Sequence, residues 1–186
     1  MLFECQRLAA LRACSILDTG PHPAFDGLAR AVALAFDAPV AVVALMDADR
    51  LWFKASYGAP VREVARSEAI CNHTIEGHEP LIIPDARLDA RVCQLPMVVG
   101  EPHIRFYAGA PLIDSDGYAI GTLSAVDLKP RRIEESQVRL LGYLADVTMH
   151  AIEAHRQRLE IQDVWREINA KGLSRPDSQA PGRRAG

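Results

Sequence analysis

Arg105 and Tyr107 are the residues in this sequence best spaced to hold a small molecule. They alternate with Ile104, Phe106, Ala108, Ala110 and Leu112. A strand over residues 104–113 would therefore turn its apolar side to a core and its arginine and tyrosine the other way. Gly109, two residues on, leaves room above that second face, which Pro111 completes. A guanidinium there holds an anion, and a phenol offers a ring and a hydroxyl. A structural role is equally open, with Arg105 paired to an acid such as Asp85 or Asp89 and Tyr107 packed beneath it. A buried arginine needs a partner in either case.

Cys71-x-His73 is the other pattern with chemical content, as a redox or metal element completed by His78 or His103. Zinc sites bring four ligands in close pairs, and on a helix residues two apart face different ways. The spacing therefore predicts a structural cysteine, a histidine at a helix end, and no metal site. Cys5, Cys14 and Cys93 are scattered without a C-x-x-C pair, so free thiols are the default. Trp52 stands on the opposite strand face from Phe53. Stacking on a ligand is one use for it, and covering the sheet beneath a loop is the commoner one. The candidate ligand-binding set is thus Trp52, Cys71, His73, Asp85, His103, Arg105, Tyr107 and Gly109, with no catalytic residue assigned.

The chain that must position these residues has 186 residues and a mass of 20.4 kDa, room for one ordinary domain and an appendage. With 49% hydrophobic and 24% charged residues it fits a globular protein rather than a disordered or fibrous one. A net charge of -3 and a pI near 6.1 give no electrostatic ground for a nucleic-acid or anionic-membrane partner. The apolar run at residues 38–46 is about half a membrane span. Glu4, Arg7 and Arg12 interrupt any signal-peptide core, so a cytoplasmic soluble protein is expected.

Leu8, Leu11 and Cys14 predict a helix over residues 6–16, ended by the turn Asp18-Thr19-Gly20-Pro21. Pro23 opens a second helix to Phe36 along Phe25, Leu28, Val32 and Ala35. The β-branched run 40–46 reads as a central strand, and 51–57 as its hairpin partner. A short helix from Ser67 through Ile75 closes at Gly77, and a strand at 81–83 stops at Pro84. Residues 85–100 form an irregular stretch long enough to be a lid. Residues 104–113 and 118–127 make a second hairpin, and 133–170 one helix of roughly 57 Å, long enough to project from a domain of this size. The tail 171–186, rich in Gly, Pro, Ser and Arg, is expected to be disordered. An antiparallel sheet of five or six strands, with helices on one face, leaves the other face to the lid. A sheet face roofed by irregular segments is a natural small-molecule pocket.

Several segments, in order, carry a family likeness: residues 7–11 (RLAAL) with 16–19 (ILDT), 25–26 (FD), 46–55 (MDADRLWFKA), 71–75 (CNHTI), 84–87 (PDAR), 100–112 (GEPHIRFYAGAPL) and 121–123 (GTL). Over roughly residues 6–155 the chain resembles the GAF domain family, in the subgroup that opens bacterial sensor kinases and cyclic-di-GMP enzymes. The resemblance implies a GAF/PAS-like α+β sensor module that binds a cyclic nucleotide, a tetrapyrrole, a small metabolite or nothing, and it selects no cofactor. Members that attach a tetrapyrrole do so through a cysteine near a histidine, which Cys71 and His73 echo inside a pattern of the other subgroup. Other proteins of this fold reduce free methionine sulfoxide with cysteines, and Cys71 and Cys93 flank the expected pocket. The sequence shows neither a lowered thiol pKa nor a resolving partner for that chemistry.

Relatives in the family use long terminal helices to dimerise and to signal to an output domain. Here Leu141, Leu144, Thr148, Ala151, His155 and Leu159 give a seam, and Ala145, Ile152 and Leu159 recur every seven residues. The resulting expectation is a stand-alone, homodimeric, non-catalytic sensor: a GAF domain at 1–155, a helix extension at 156–170 and the tail. Its output would come from a separate kinase or cyclase protein. The alternatives are a thiol redox enzyme of the free methionine sulfoxide reductase type and a dimerisation module without a ligand.

Overall fold

The computed structural model describes residues 2–170, so the tail at 171–186 lies outside the described residues. The elements in chain order are α1 (Leu2–Ala13), α2 (Pro23–Phe36), β1 (Val40–Met46), β2 (Arg50–Tyr57), β3 (Glu63–Ala65), a 3-10 turn (Arg66–Glu68), α3 (Cys71–Thr74), β4 (Leu81–Ile83), α4 (Pro96–Val99), β5 (Phe106–Ile113), β6 (Ala119–Asp127) and α5 (Glu135–Ala170). The strands form one six-stranded sheet in the order β3-β2-β1-β6-β5-β4, every pair antiparallel.

The period-2 alternation of the strands sorts their residues onto two buried faces. Ala41, Val43 and Leu45 of β1, Leu123 and Ala125 of β6, and Phe106, Ala108, Ala110 and Leu112 of β5 pack with the helices. Phe25, Val32 and Phe36 of α2 and Leu141, Ala145, Met149 and Ile152 of α5 cover this side. The other parity, with Val42, Ala44, Met46 and Tyr107, packs against Ile70, Cys71, Val92 and Val98 of the irregular segments. Both faces of the central strands are thus buried, which is why β1 reads as an unbroken apolar run.

Local signals fix the helix ends. Pro23 sits at the start of α2, where its missing N–H is no loss, and His22 Nδ1 accepts from Ala24 N at 3.3 Å. Asp37 closes the helix in the left-handed region (φ 46°), and the Ala38 N–H returns to Ala33 O at 2.9 Å. In β2 a bulge leaves Lys54 without a counterpart in the β1 ladder. The buried Lys54 ammonium donates to Thr19 Oγ1 (2.6 Å) and Gly20 O (2.7 Å), pinning the turn between α1 and α2.

Four expectations need correction. Helix α1 starts at Leu2, not at residue 6. The helix expected over 67–75 is a 3-10 turn followed by the single turn of α3, and the short strand β3 went unnoticed because three residues carry no readable alternation. Ile104 belongs to the cluster with Tyr107, not to the helix side, because the strand begins at Phe106 and the chain turns ahead of it: Ile104 N donates to Met97 O and Arg105 N to Asp127 O. The seam proposed on α5 is spent within the molecule in its first half. Leu141 and Thr148 are buried, and Leu144 and Ala151 pack on the helix-side core.

The chain divides into two units, the first ending at Arg156 and the second beginning at Gln157. In the first, α5 exposes Leu140, Tyr143 and Val147; in the second, it exposes Ile161, Val164 and Trp165. Among the described residues no helix is long and apolar enough to cross a membrane.

Candidate functional site

A cavity of about 680 Å³ lies on the face of the sheet opposite the helices, within the range of about 300–1,000 Å³ usual for small-molecule sites. Its floor is the second parity of the central strands: Val42 and Ala44 of β1, Leu51 and Phe53 of β2, Ser124 and Val126 of β6, and Tyr107 of β5. Its walls and roof come from the loop after β2 (Ala59, Pro60, Val61), from Ile70 and Cys71, and from Met97 and Pro102. The surface is predominantly apolar.

Tyr107 is held by an absence. A Cβ on Gly109 would lie 2.1 Å from the Tyr107 hydroxyl and 2.5 Å from Cζ, so only glycine lets the ring lie along its own strand. Laid down in this way, the phenol reaches α3. Thr74 Oγ1 is 2.7 Å from the Tyr107 hydroxyl, and that hydroxyl donates to Cys71 Sγ at 3.4 Å. Cys71 and Thr74, three residues apart, share one side of the helical turn, and the fully buried Thr122 side chain sits against both Cys71 and Tyr107. Burial pushes the Cys71 thiol up, and burial, reinforced by the neighbouring thiol, pushes the Tyr107 phenol well up. Both groups are therefore protonated at neutral pH. An activated thiolate needs the opposite environment.

The roof is tied down by ion pairs that stay outside the cavity. Arg7 is 1% exposed and donates to Glu4 Oε1 (2.7 Å) and Oε2 (2.9 Å) and to Met46 O (2.6 Å). Arg66 donates to Glu4 Oε1 (2.5 Å), Asp47 O (3.1 Å) and Asn72 Oδ1 (3.1 Å), and Asn72 Nδ2 donates back to Arg66 O. Arg7 first, then Arg66, hold the Glu4 carboxyl down at about 2.

Of the eight candidates from sequence, Tyr107 and Cys71 line the cavity. The others lie elsewhere. Arg105 is half-buried with its Nη1 donating to Val98 O (2.8 Å) and Ile104 O (2.9 Å); it bonds to neither Asp85 nor Asp89, and braces the segment around α4. Asp85 accepts from Arg87 (2.7 Å), which lowers its pKa, and Asp89 pairs with Arg91 in the same way. Gly109 makes room for Tyr107 and not for a ligand. Trp52 packs in the helix-side core, since the β2 parity that sends Phe53 to the cavity sends its neighbour the other way. His73 points off α3 toward Glu76 Oε2 (3.3 Å), and His103 is 47% exposed beside Glu101. Cys93 does not line the cavity. Among the described residues no group of three or more His, Cys, Asp and Glu is placed to hold a metal ion.

Sequence reasoning missed Thr74, Thr122, Ser124 and Met97. Thr122 and Ser124 were readable, because they alternate with Leu123 and Ala125. Thr74 follows Cys71 at the i+3 spacing. Met97 carries no signal, since only the return of residues 96–104 across the sheet brings it there.

An antiparallel six-stranded sheet with helices on one face and a roofed cavity on the other defines an α+β domain with a pocket against its sheet. The sequence profile of the GAF domain matches residues 2–152, and the chain belongs to the GAF domain family. It is 35% identical over 154 residues to a cyclic di-GMP phosphodiesterase of Pseudomonas aeruginosa, a match covering 82% of this chain and 26% of that protein. The chain thus spans about a quarter of that relative. Among solved structures it is similar to the GAF domain of an Acinetobacter phosphoenolpyruvate-protein phosphotransferase (TM-score 0.60, 21% identity, covering 81% of this chain and 93% of that one). It is also similar to the free methionine-R-sulfoxide reductase of Neisseria meningitidis (TM-score 0.60, 20% identity, covering 84% and 92%). At these identities the structural matches speak for the fold alone.

Proposed function

We propose that this GAF domain is a cytoplasmic sensor without catalytic activity, which binds a small molecule between sheet and roof and passes the event to an output protein through α5. The observation that carries the reading is the apolar cavity of about 680 Å³ resting on the central strands. Its thiol and phenol are buried and kept protonated, and Cys71 is the one cysteine of the lining, which supports binding over thiol redox chemistry. Four free thiols support a reducing compartment. A cyclic-di-GMP enzyme as the output is supported by the likeness to the phosphodiesterase.

The signalling unit is a homodimer. Support comes from α5, where Leu140, Tyr143 and Val147 are exposed and the sequence repeats an apolar residue every seven positions at Leu140, Val147, Ala154, Ile161 and Ile168. This stripe takes the place of the seam that the sequence first suggested. A ligand that bridges the roof (Ile70, Met97) and the floor shifts the balance between two packings of the roof.

The test is a thermal-shift screen over chemically diverse small molecules. A ligand at 100-fold its Kd adds about 2.7 kcal/mol, or roughly 5–10 °C for a chain of this size. The shift should vanish in Val42→Phe, which fills the floor. The absence of any cavity-dependent shift would refute the sensor and favour a plain dimerisation module. The dimer is tested by native mass of Val147→Glu, which should be monomeric.

A further inference from the structure

Charge, more than shape, narrows what the cavity can hold. No lysine, arginine or histidine contributes to its lining; the charged residues there are Glu68 and Glu101, both exposed at the mouth. Of the arginines on the bordering segments, Arg105 donates to the carbonyls of Val98 and Ile104 and Arg66 to Glu4 and Asn72, and Arg62, between the lining residues Val61 and Val64, is exposed and is not among the lining residues. A phosphate or carboxylate inside would lose its water without gaining a cation, a loss of several kcal/mol, and would meet two carboxylates on the way in.

The polar groups the cavity does offer are uncharged. The Tyr107 hydroxyl donates to Cys71 Sγ and lies within bonding distance of Thr74 Oγ1, with the buried Thr122 side chain beside it, so at most one lone pair of the phenol oxygen is left to accept a further bond. The hydroxyl of Ser124 lies on the same floor, two β6 residues from the Val126 that pairs with Tyr107 in the ladder. The rest of the lining is mostly aliphatic or aromatic, with Val42 and Phe53 beside these groups on the floor and Ile70 and Met97 in the roof.

We propose that the cavity takes an uncharged, largely apolar compound, aromatic or acyl, carrying one or two neutral polar groups such as a hydroxyl or amide directed at Tyr107 and Ser124, and that it excludes anionic nucleotides and carboxylates. The proposal rests on the reading of this cavity as the ligand site. Burial of the apolar body supplies the affinity, and the two hydroxyls set its orientation.

The experiment titrates the full chain with two fluorescent dyes: Nile red, which is uncharged, and anilinonaphthalene sulfonate, which is apolar but anionic. Each is repeated with excess cyclic GMP as competitor. The expected result is Nile red binding at least about tenfold more tightly than the sulfonate, insensitive to cyclic GMP and lost in Val42→Phe. Met97→Trp, which fills the cavity from the roof, serves if Val42→Phe does not fold. Sulfonate or cyclic GMP bound as tightly as Nile red, through a signal that both filling variants abolish, would overturn the ligand class and leave the receptor standing. If no probe gives a signal that the filling variants remove, the receptor reading falls as well.

Discussion

Gly109→Ala is the sharpest perturbation the structure offers, because one methyl group meets one rigid ring. The new Cβ would sit 2.1 Å from the Tyr107 hydroxyl and 2.8 Å from Cε1, where ordinary contact begins at 3.4 Å. The hydroxyl must retreat by about 1.3 Å, a distance over which contact energies change completely. A shift of that size breaks its bonds to Thr74 Oγ1 (2.7 Å) and Cys71 Sγ (3.4 Å). Stranding buried polar partners costs about 1–3 kcal/mol, and overpacking a buried face another 1–3 kcal/mol. A loss of about 2–6 kcal/mol lowers Tm by roughly 4–24 °C for a domain of this size. Thermal unfolding followed by circular dichroism measures this directly. The control is the same substitution in a Tyr107→Ala background, where the obstructing ring is gone. There alanine should be neutral or slightly stabilising, since glycine within a strand costs about 0.5–1 kcal/mol relative to alanine. An equal loss in both backgrounds, or a Gly109→Ala protein melting within about 1 °C of wild type, would refute the placement of Tyr107 over Gly109.

Two further outcomes are expected from the groups around the roof. The folded-state pKa of Glu4, held at about 2 by Arg7 and Arg66, lies below its ordinary 4.5; its contribution is therefore present above 4.5 and is lost as pH falls from there toward 2. Because the Glu4 side chain is 38% exposed, solvent screens part of this contribution. Glu4→Gln should be less stable than wild type at pH 7, with the gap closing toward pH 3, as read from urea midpoints; parallel acid limbs would contradict the ion-pair account. Thiol labelling of the native protein should be fast at exposed Cys5 and slow at Cys71 and Cys14, whose thiols burial pushes up, until denaturant is added. Native labelling of Cys71 at the rate of Cys5 would restore the redox reading.

Much of the architecture was legible because it is written in local periods. The β-branched run at 40–46, the apolar run at 81–83 stopped by Pro84 and the Pro23 start of α2 each report a backbone state through neighbouring side chains, and the strands β1 and β4 and the helix α2 fall where those signals place them. The site was only half legible. Tyr107 and Cys71 line the cavity, but alternation said nothing of where it stops, and one residue before β5 it no longer governs Arg105.

By itself the sequence determined the parity of the strands, the family, and hence a sheet with two covered faces, one of them capable of a cavity. The tertiary structure alone decided what that cavity is made of. Arg105 is taken out of it by carbonyls at Val98 and Ile104, Trp52 goes to the helices, and Val42, Phe53 and Met97 arrive from segments far apart in the chain. A residue's face follows from its nearest neighbours, whereas its partner follows from how distant segments return. The first is local covalent geometry and the second is packing.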